Sequence, residues 1–135
     1  MGSRKAVLWR ESEGKKEPAW FSRWSIIHVL SGVALEAGSR HLTFNKGLAL
    51  TLFIHTLYEL KDMLVSYYTI GRNTYDHGWR DNSVQNSIGD TLAVVCGFCL
   101  SRMYLQGVPR RVLVLIYALA VLVEYNRLED AGRAL

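Results

Sequence analysis

Four strongly apolar stretches, separated by shorter polar segments, constrain this chain more than any other feature. They run over residues 20–37, 47–68, 82–105 and 112–123. The last stretch carries no charged residue, so every face of a helix formed there is apolar. Such a helix is surrounded by lipid or fully enclosed by other helices. A membrane span needs about 20 residues, and these stretches approach that length only if some charged residues are included. The membrane prediction therefore rests on the occurrence of four such stretches in one chain.

The pattern predicts an all-α membrane protein in which four antiparallel transmembrane helices form a small bundle. The 135 residues suffice for one domain. We expect a polar basic segment over residues 1–19, the four-helix transmembrane domain over 20–127 and a polar tail over 128–135. Pro18 and Pro109 each precede an apolar stretch, which predicts helix starts there because the first helical position needs no N–H. A soluble four-helix bundle is the alternative, but its helices would show a polar face repeating every 3.6 residues.

The basic residues predict an orientation and a set of partners. In an up-and-down arrangement, eleven of the sixteen lysines and arginines fall on the side of the two termini and five on the other side. Since basic residues concentrate on the cytoplasmic side, both termini are predicted to lie in the cytoplasm or its organellar equivalent. The net charge of +4 is not arranged as a basic stripe with interleaved aromatic residues, so nucleic acid is not predicted as a partner. The predicted partners are membrane lipids and other membrane-protein subunits.

Polar side chains are predicted to gather at one end of the bundle. With four spans, the starts of the first and third helices and the ends of the second and fourth share one leaflet. One stripe of polar residues at helical spacing runs from His55 to Asp62, and another runs in four-residue steps from Asn82 to Asp90. Because ionisable groups avoid lipid, these stripes should face each other inside the bundle. The predicted cluster comprises His28, His55, Tyr58, Glu59, Asp62, Asn82, Asn86 and Asp90.

Small residues and the opposite leaflet complete this pattern. Gly32, Gly89 and Gly97 would let neighbouring helices approach closely. At the other leaflet, only Glu36 lies near a helix end. The polar residues are therefore unevenly divided between the two ends.

Three chemical interpretations compete for the polar cluster. A metal site would use its imidazoles and carboxylates, but the paired Glu-x-x-His elements of four-helix di-metal proteins are absent, so no metal and no other cofactor is predicted. An enzyme acting on a lipid headgroup would use Glu59, Asp62 or Asp90 as catalytic groups, for example as a general base. The interpretation we favour is an interhelical hydrogen-bond network that sets helix register.

Two short motifs stand at adjoining helix ends: Tyr58-Glu59-x-x-Asp62, then Asn82-Ser-x-x-Asn86-Ser-x-Gly89-Asp90 with the later Gly97. They resemble those of the VanZ-like small bacterial membrane proteins over about residues 47–105. In that family an acidic or aromatic motif ends one helix, and an Asp/Asn-x-x-x-Asn-x-x-Gly pattern follows in the next. The resemblance implies a membrane fold linked to glycopeptide resistance, without a defined reaction. Because the helices are short, the loops minimal and no catalytic constellation complete, we expect a non-enzymatic accessory or interaction subunit of a membrane assembly. The alternative is a VanZ-like membrane enzyme or a lipid- or ligand-binding protein.

Overall fold

Four helices make up most of the computed structural model, which describes residues 7–10, 19–65 and 84–133. The prediction of a four-helix chain is confirmed. Two four-residue strands precede the helices and pair in parallel. The elements are β1 (Val7–Arg10), β2 (Ala19–Ser22), α1 (Arg23–Gly38), α2 (Phe44–Val65), α3 (Val84–Tyr104) and α4 (Arg110–Arg133).

The helix boundaries correct some sequence expectations and confirm others. The helix start predicted at Pro18 is wrong, because the residues that follow form β2 and α1 begins only at Arg23. Across this boundary the Ser22 N–H donates to Ser25 Oγ at 3.0 Å, a capping contact that supports the first turn of α1. Pro109 does precede a helix, and α4 continues from there into the segment predicted as a polar tail.

Helices α1 and α3 form the centre of the bundle and run parallel, with α2 and α4 antiparallel beside them. Glycines allow this central contact. A Cβ at Gly32 would lie 2.9 Å from the backbone nitrogen of Phe98, and one at Gly97 would lie 2.8 Å from the carbonyl carbon of Val29. Gly89 meets the backbone of β2 in the same way. The predicted close approach of two helices is confirmed at Gly32 and Gly97, because any larger residue would push the backbones apart. At Gly89 the close neighbour is β2 rather than a helix.

The bundle has a polar interior and an apolar exterior. The apolar core cluster of Val33, Ala37 and Leu113 is small. Among the helices described, none combines the length with the apolar composition that crossing a membrane requires. Buried polar or charged side chains include Glu36, Thr51, His55, Asn86, Asp90 and Ser101, whereas large apolar side chains exposed on α2 and α4 include Phe53, Leu57, Met63, Leu115, Leu119, Leu122 and Val123.

Candidate functional site

A cluster of histidines and carboxylates lies where α1, α2 and α3 meet at one end of the bundle. The two parallel helices begin at this end and α2 ends there, as the contacts of Ser25 with Asp90 and of Ser87 with Glu59 indicate. The Ser25 hydroxyl donates to Asp90 Oδ1 at 2.8 Å, which joins the first turns of α1 to α3. We call this region the histidine end and define it by His28, His55, Glu59 and Asp90.

The two imidazoles stand against each other and direct nitrogen atoms at the carboxylates. The rings of His28 and His55 meet edge to face, with centroids 5.2 Å apart and planes at 84°. His28 Nε2 lies 3.4 Å from Asp90 Oδ2 and 3.9 Å from Glu59 Oε1. His55 Nε2 lies 4.0 Å from the same Glu59 oxygen. Atoms from three helices therefore converge on one small region.

Neighbouring side chains fix the orientation of both carboxylates. The Asn86 amide donates to Asp90 Oδ2 at 2.7 Å, and Ser25 holds the other oxygen of that carboxylate. The Ser87 hydroxyl donates to Glu59 Oε2 at 3.1 Å. Asp90 is nearly inaccessible, whereas 21% of the Glu59 side chain is exposed. Such contacts hold a carboxylate in place for a partner on its remaining lone pairs.

Thr91 accounts for the second contact of His55. The Thr91 hydroxyl donates to the backbone carbonyl of Ser87 at 2.8 Å. Its oxygen lies 3.2 Å from His55 Nε2, so in this arrangement it accepts a hydrogen bond from that nitrogen. The tautomer of His55 is therefore coupled to a backbone carbonyl of α3 through one hydroxyl group.

A cavity of about 290 Å³ lies beside the histidines, between α1, α2 and α4. Most of its wall is apolar, and His28, His55, Tyr58 and Tyr117 contribute the larger polar groups. The two carboxylates contact the imidazoles without lining the cavity. The imidazoles therefore separate the cavity from the negative charges. Ligand pockets usually have volumes of about 300–1,000 Å³, and the volume of this cavity is close to the lower end of that range.

The predicted cluster is assembled only in part. His28, His55, Glu59, Asn86 and Asp90 come together, as described above. Tyr58 lines the cavity but is 46% exposed, with Lys61 Nζ 3.9 Å from its ring centroid. Asp62 lies nearer the end of α2, is 43% exposed and pairs with Lys61 at 2.8 Å. It lies at the edge of the cluster, where its charge still acts on His28 and Glu59. Asn82 lies outside the described residues.

A second polar network, which the sequence pattern did not predict, lies at the opposite end of the bundle. We call this region the arginine end. Its centre is Glu36, which is fully buried. The Ser101 hydroxyl donates to Glu36 at 2.6 Å, and the Gln106 amide donates to it at 3.0 Å. Arg40 Nε and Arg102 Nε lie 3.3 and 3.1 Å from its carboxylate oxygens. The four-residue spacing of Glu36 and Arg40 is the one local signal of this network.

Glu124 ties α4 to the histidine end. Its carboxylate lies 3.4 Å from Arg23 Nε at the start of α1 and also accepts from Arg127. The end of α4 is thus held beside the start of α1, as the alternating helix directions predict.

Comparison with family models, with curated proteins and with solved structures finds no match for this chain. The VanZ-like resemblance therefore stays a prediction from its motifs.

Proposed function

We propose that this chain is an integral membrane protein of four antiparallel helices, three of which line a binding site for a small, largely apolar molecule. The observation that carries the proposal is the cavity with His28 and His55 in its wall. A mainly apolar pocket with a few oriented polar groups is typical of ligand sites. The imidazoles would contact the polar group of the ligand, and the two buried carboxylates would keep the rings in position.

The distribution of polar groups supports the membrane part of the proposal. Asp90 and Ser101 on α3 and His55 on α2 lower the apolarity of their helices, yet in the bundle they are buried. The outer face of α4 is apolar, with Leu115 and Leu122 more than half exposed. Polar groups paired inside and apolar groups outside are what a bundle surrounded by lipid needs.

Membrane insertion is tested by fractionating cells that express the full chain. We expect the protein to stay in the membrane pellet after washing with alkaline carbonate and to dissolve only in detergent. Release by the carbonate wash would contradict insertion. Reporter fusions at both termini then test the predicted orientation, in which the histidine end faces the cytoplasm or its equivalent.

The cavity is tested by native mass spectrometry of protein extracted in mild detergent. We expect the wild-type chain to retain a discrete small molecule. Ala34→Phe should abolish retention, because Ala34 lines the cavity and a benzyl group would fill it. Ala118→Phe is the matched control, since Ala118 is an exposed alanine on α4 outside the lining. Equal retention by the two folded variants would contradict binding in the cavity.

An accessory subunit is the second candidate, and the exposed apolar face of α4 favours it. Leu115, Leu119 and Val123 are each more than half exposed and would contact a partner protein as readily as lipid. Native mass analysis distinguishes the two. A stable complex with another protein chain, carrying no retained small molecule, would favour the subunit; a lone chain with a bound molecule would favour the binding protein.

An enzyme of the VanZ-like kind would use the same cluster, with Glu59 or Asp90 as the catalytic group. Asp62 is disfavoured in this role because it pairs with Lys61 on the surface. Turnover of the retained molecule by the wild-type chain, lost in Glu59→Gln while retention persists, would favour catalysis over binding alone.

A further inference from the structure

The buried glutamates of the bundle differ in how their charge is offset. Glu36 and Glu124 each contact the guanidinium groups of two arginines. Glu59 differs, because in the described ranges it contacts two imidazoles and a hydroxyl group and pairs with no lysine or arginine. The charges that act on it are those of the carboxylates Asp90 and Asp62, which have the same sign as its own. A half-buried carboxylate beside neutral ligand atoms is a place where a cation is favoured.

The separations between the atoms suit a single small cation. One ligand atom from each of His28, His55 and Glu59 lies within 4.8 Å of the others. Asp90 Oδ2 is 3.4 Å from His28 Nε2. Four ligands at about 2.1 Å around a tetrahedral ion are about 3.4 Å apart. The three pairs among His28, His55 and Glu59 are therefore within about 1.5 Å of that requirement, a distance that small side-chain rotations cover, and the pair of His28 with Asp90 already meets it.

We propose that His28, His55 and Glu59 bind a first-row divalent transition metal ion such as Zn²⁺, with Asp90 as the fourth ligand. Imidazole and carboxylate are suitable ligands for these ions, and the two carboxylate charges would offset the charge of the ion. No metal is predicted from the sequence because paired Glu-x-x-His elements are absent. Their absence excludes one arrangement, the di-metal site of four-helix proteins. It does not exclude a single ion held by three helices.

The surrounding hydrogen bonds fit a metal site. Ser87 donates to Glu59, and Ser25 and Asn86 donate to Asp90, so both carboxylates are held in a fixed orientation beside the imidazoles. Metal binding at His55 Nε2 would replace its hydrogen bond to Thr91 and move the ring proton to Nδ1. The ion would fix the two rings that form the cavity wall, but its binding does not require a molecule in the cavity.

The test uses the full chain without a polyhistidine tag, purified in detergent and treated with EDTA. Zn²⁺ is titrated in competition with a chromophoric chelator. We expect one ion per chain, and at least tenfold weaker binding by His28→Gln and by Glu59→Gln. His41→Gln is the control and should bind like wild type, because His41 is exposed and lies between α1 and α2, away from the cluster. Wild-type binding no tighter than that of the ligand variants would overturn the proposal.

A second variant keeps the test decisive if the glutamine variants do not fold. In His55→Cys a thiolate replaces one ligand, so added Co²⁺ should give the near-ultraviolet absorption of a cobalt–thiolate bond. The same substitution at His41 should not give it. Equal absorption in the two cysteine variants would overturn the site.

The metal and the cavity ligand are separable. We expect Ala34→Phe to bind Zn²⁺ as wild type does while losing the retained molecule. Loss of Zn²⁺ binding from Glu59→Gln, with retention of the molecule unchanged, would support the ion independently of the cavity. Retention of a molecule by wild-type protein that binds no Zn²⁺ would overturn the metal alone.

Discussion

The sharpest prediction concerns Glu36, which the structure makes the most completely enclosed carboxylate of the bundle. Its side chain has no exposed surface, and it accepts hydrogen bonds from Ser101 and Gln106 at 2.6 and 3.0 Å. Arg40 and Arg102, which contact the same carboxylate, are themselves only 9% and 20% exposed. Glu36→Gln keeps the shape of the side chain but leaves these two guanidinium groups without their shared anion.

The size of the effect follows from this enclosure. Removing one partner of a buried ion pair costs about 3–5 kcal/mol. Since Arg102 reaches solvent in part, we expect Glu36→Gln to lower the free energy of unfolding by about 3 kcal/mol. Glu59→Gln is the matched control at the other end: its side chain is 21% exposed and accepts one hydroxyl hydrogen bond, so we expect a loss of about 1 kcal/mol.

The assay is denaturant unfolding of both purified variants in the same mild detergent, followed by circular dichroism. The reasoning predicts a clear order, with Glu36→Gln less stable than Glu59→Gln, and the wild type most stable. Equal destabilisation, or a Glu36→Gln protein as stable as wild type, would refute the assignment of Glu36 to the structural network.

Three further predictions concern packing and the exterior. Gly97→Ala should destabilise by about 1–3 kcal/mol because its Cβ would overlap the backbone of α1, whereas Gly38→Ala, with nothing within 4 Å of the added Cβ, should be neutral or stabilising in the same unfolding assay. Thr51→Val should stabilise by up to about 1 kcal/mol, since its buried hydroxyl has no partner among the described residues; a loss would show that the hydroxyl is bonded. Leu119→Lys should reduce the fraction of carbonate-resistant protein, as a lysine at the centre of a lipid-facing helix costs about 3 kcal/mol; unchanged insertion would count against lipid contact at α4.

The helices and their relative directions were predictable because the signals are local. Apolar stretches bounded by polar residues specify helix lengths, and Pro109 specifies the start of α4. Successive membrane spans are expected to alternate in direction, which places His28, Glu59 and Asp90 at one end before any contact is known. Gly32 and Gly97 likewise predict a close helix contact. A glycine inside a helix destabilises that helix, so it is expected where its small size allows another helix to approach.

What could not be predicted depends on distant residues or on empty space. Ser101 and Gln106 donate hydrogen bonds to Glu36, but they are 65 and 70 residues away from it in the chain. No sequence pattern around Glu36 identifies them. Asp62 continues the helical stripe of Glu59, yet it pairs with the adjacent Lys61 because α2 is near its end there. The cavity results from how three helices diverge, which periodicity does not encode.

The contrast between the two ends separates structural from functional polar groups. A carboxylate that only sets helix register is best served by partners of fixed charge, and Glu36 between Arg40 and Arg102 has them. Glu59 has imidazoles instead, which bind metal ions and exchange protons where guanidinium groups do neither. A polar cluster that only fixed the relative positions of the helices would not need histidines beside a cavity. This contrast supports the proposal that the histidine end binds a ligand, whereas the arginine end only supports the fold.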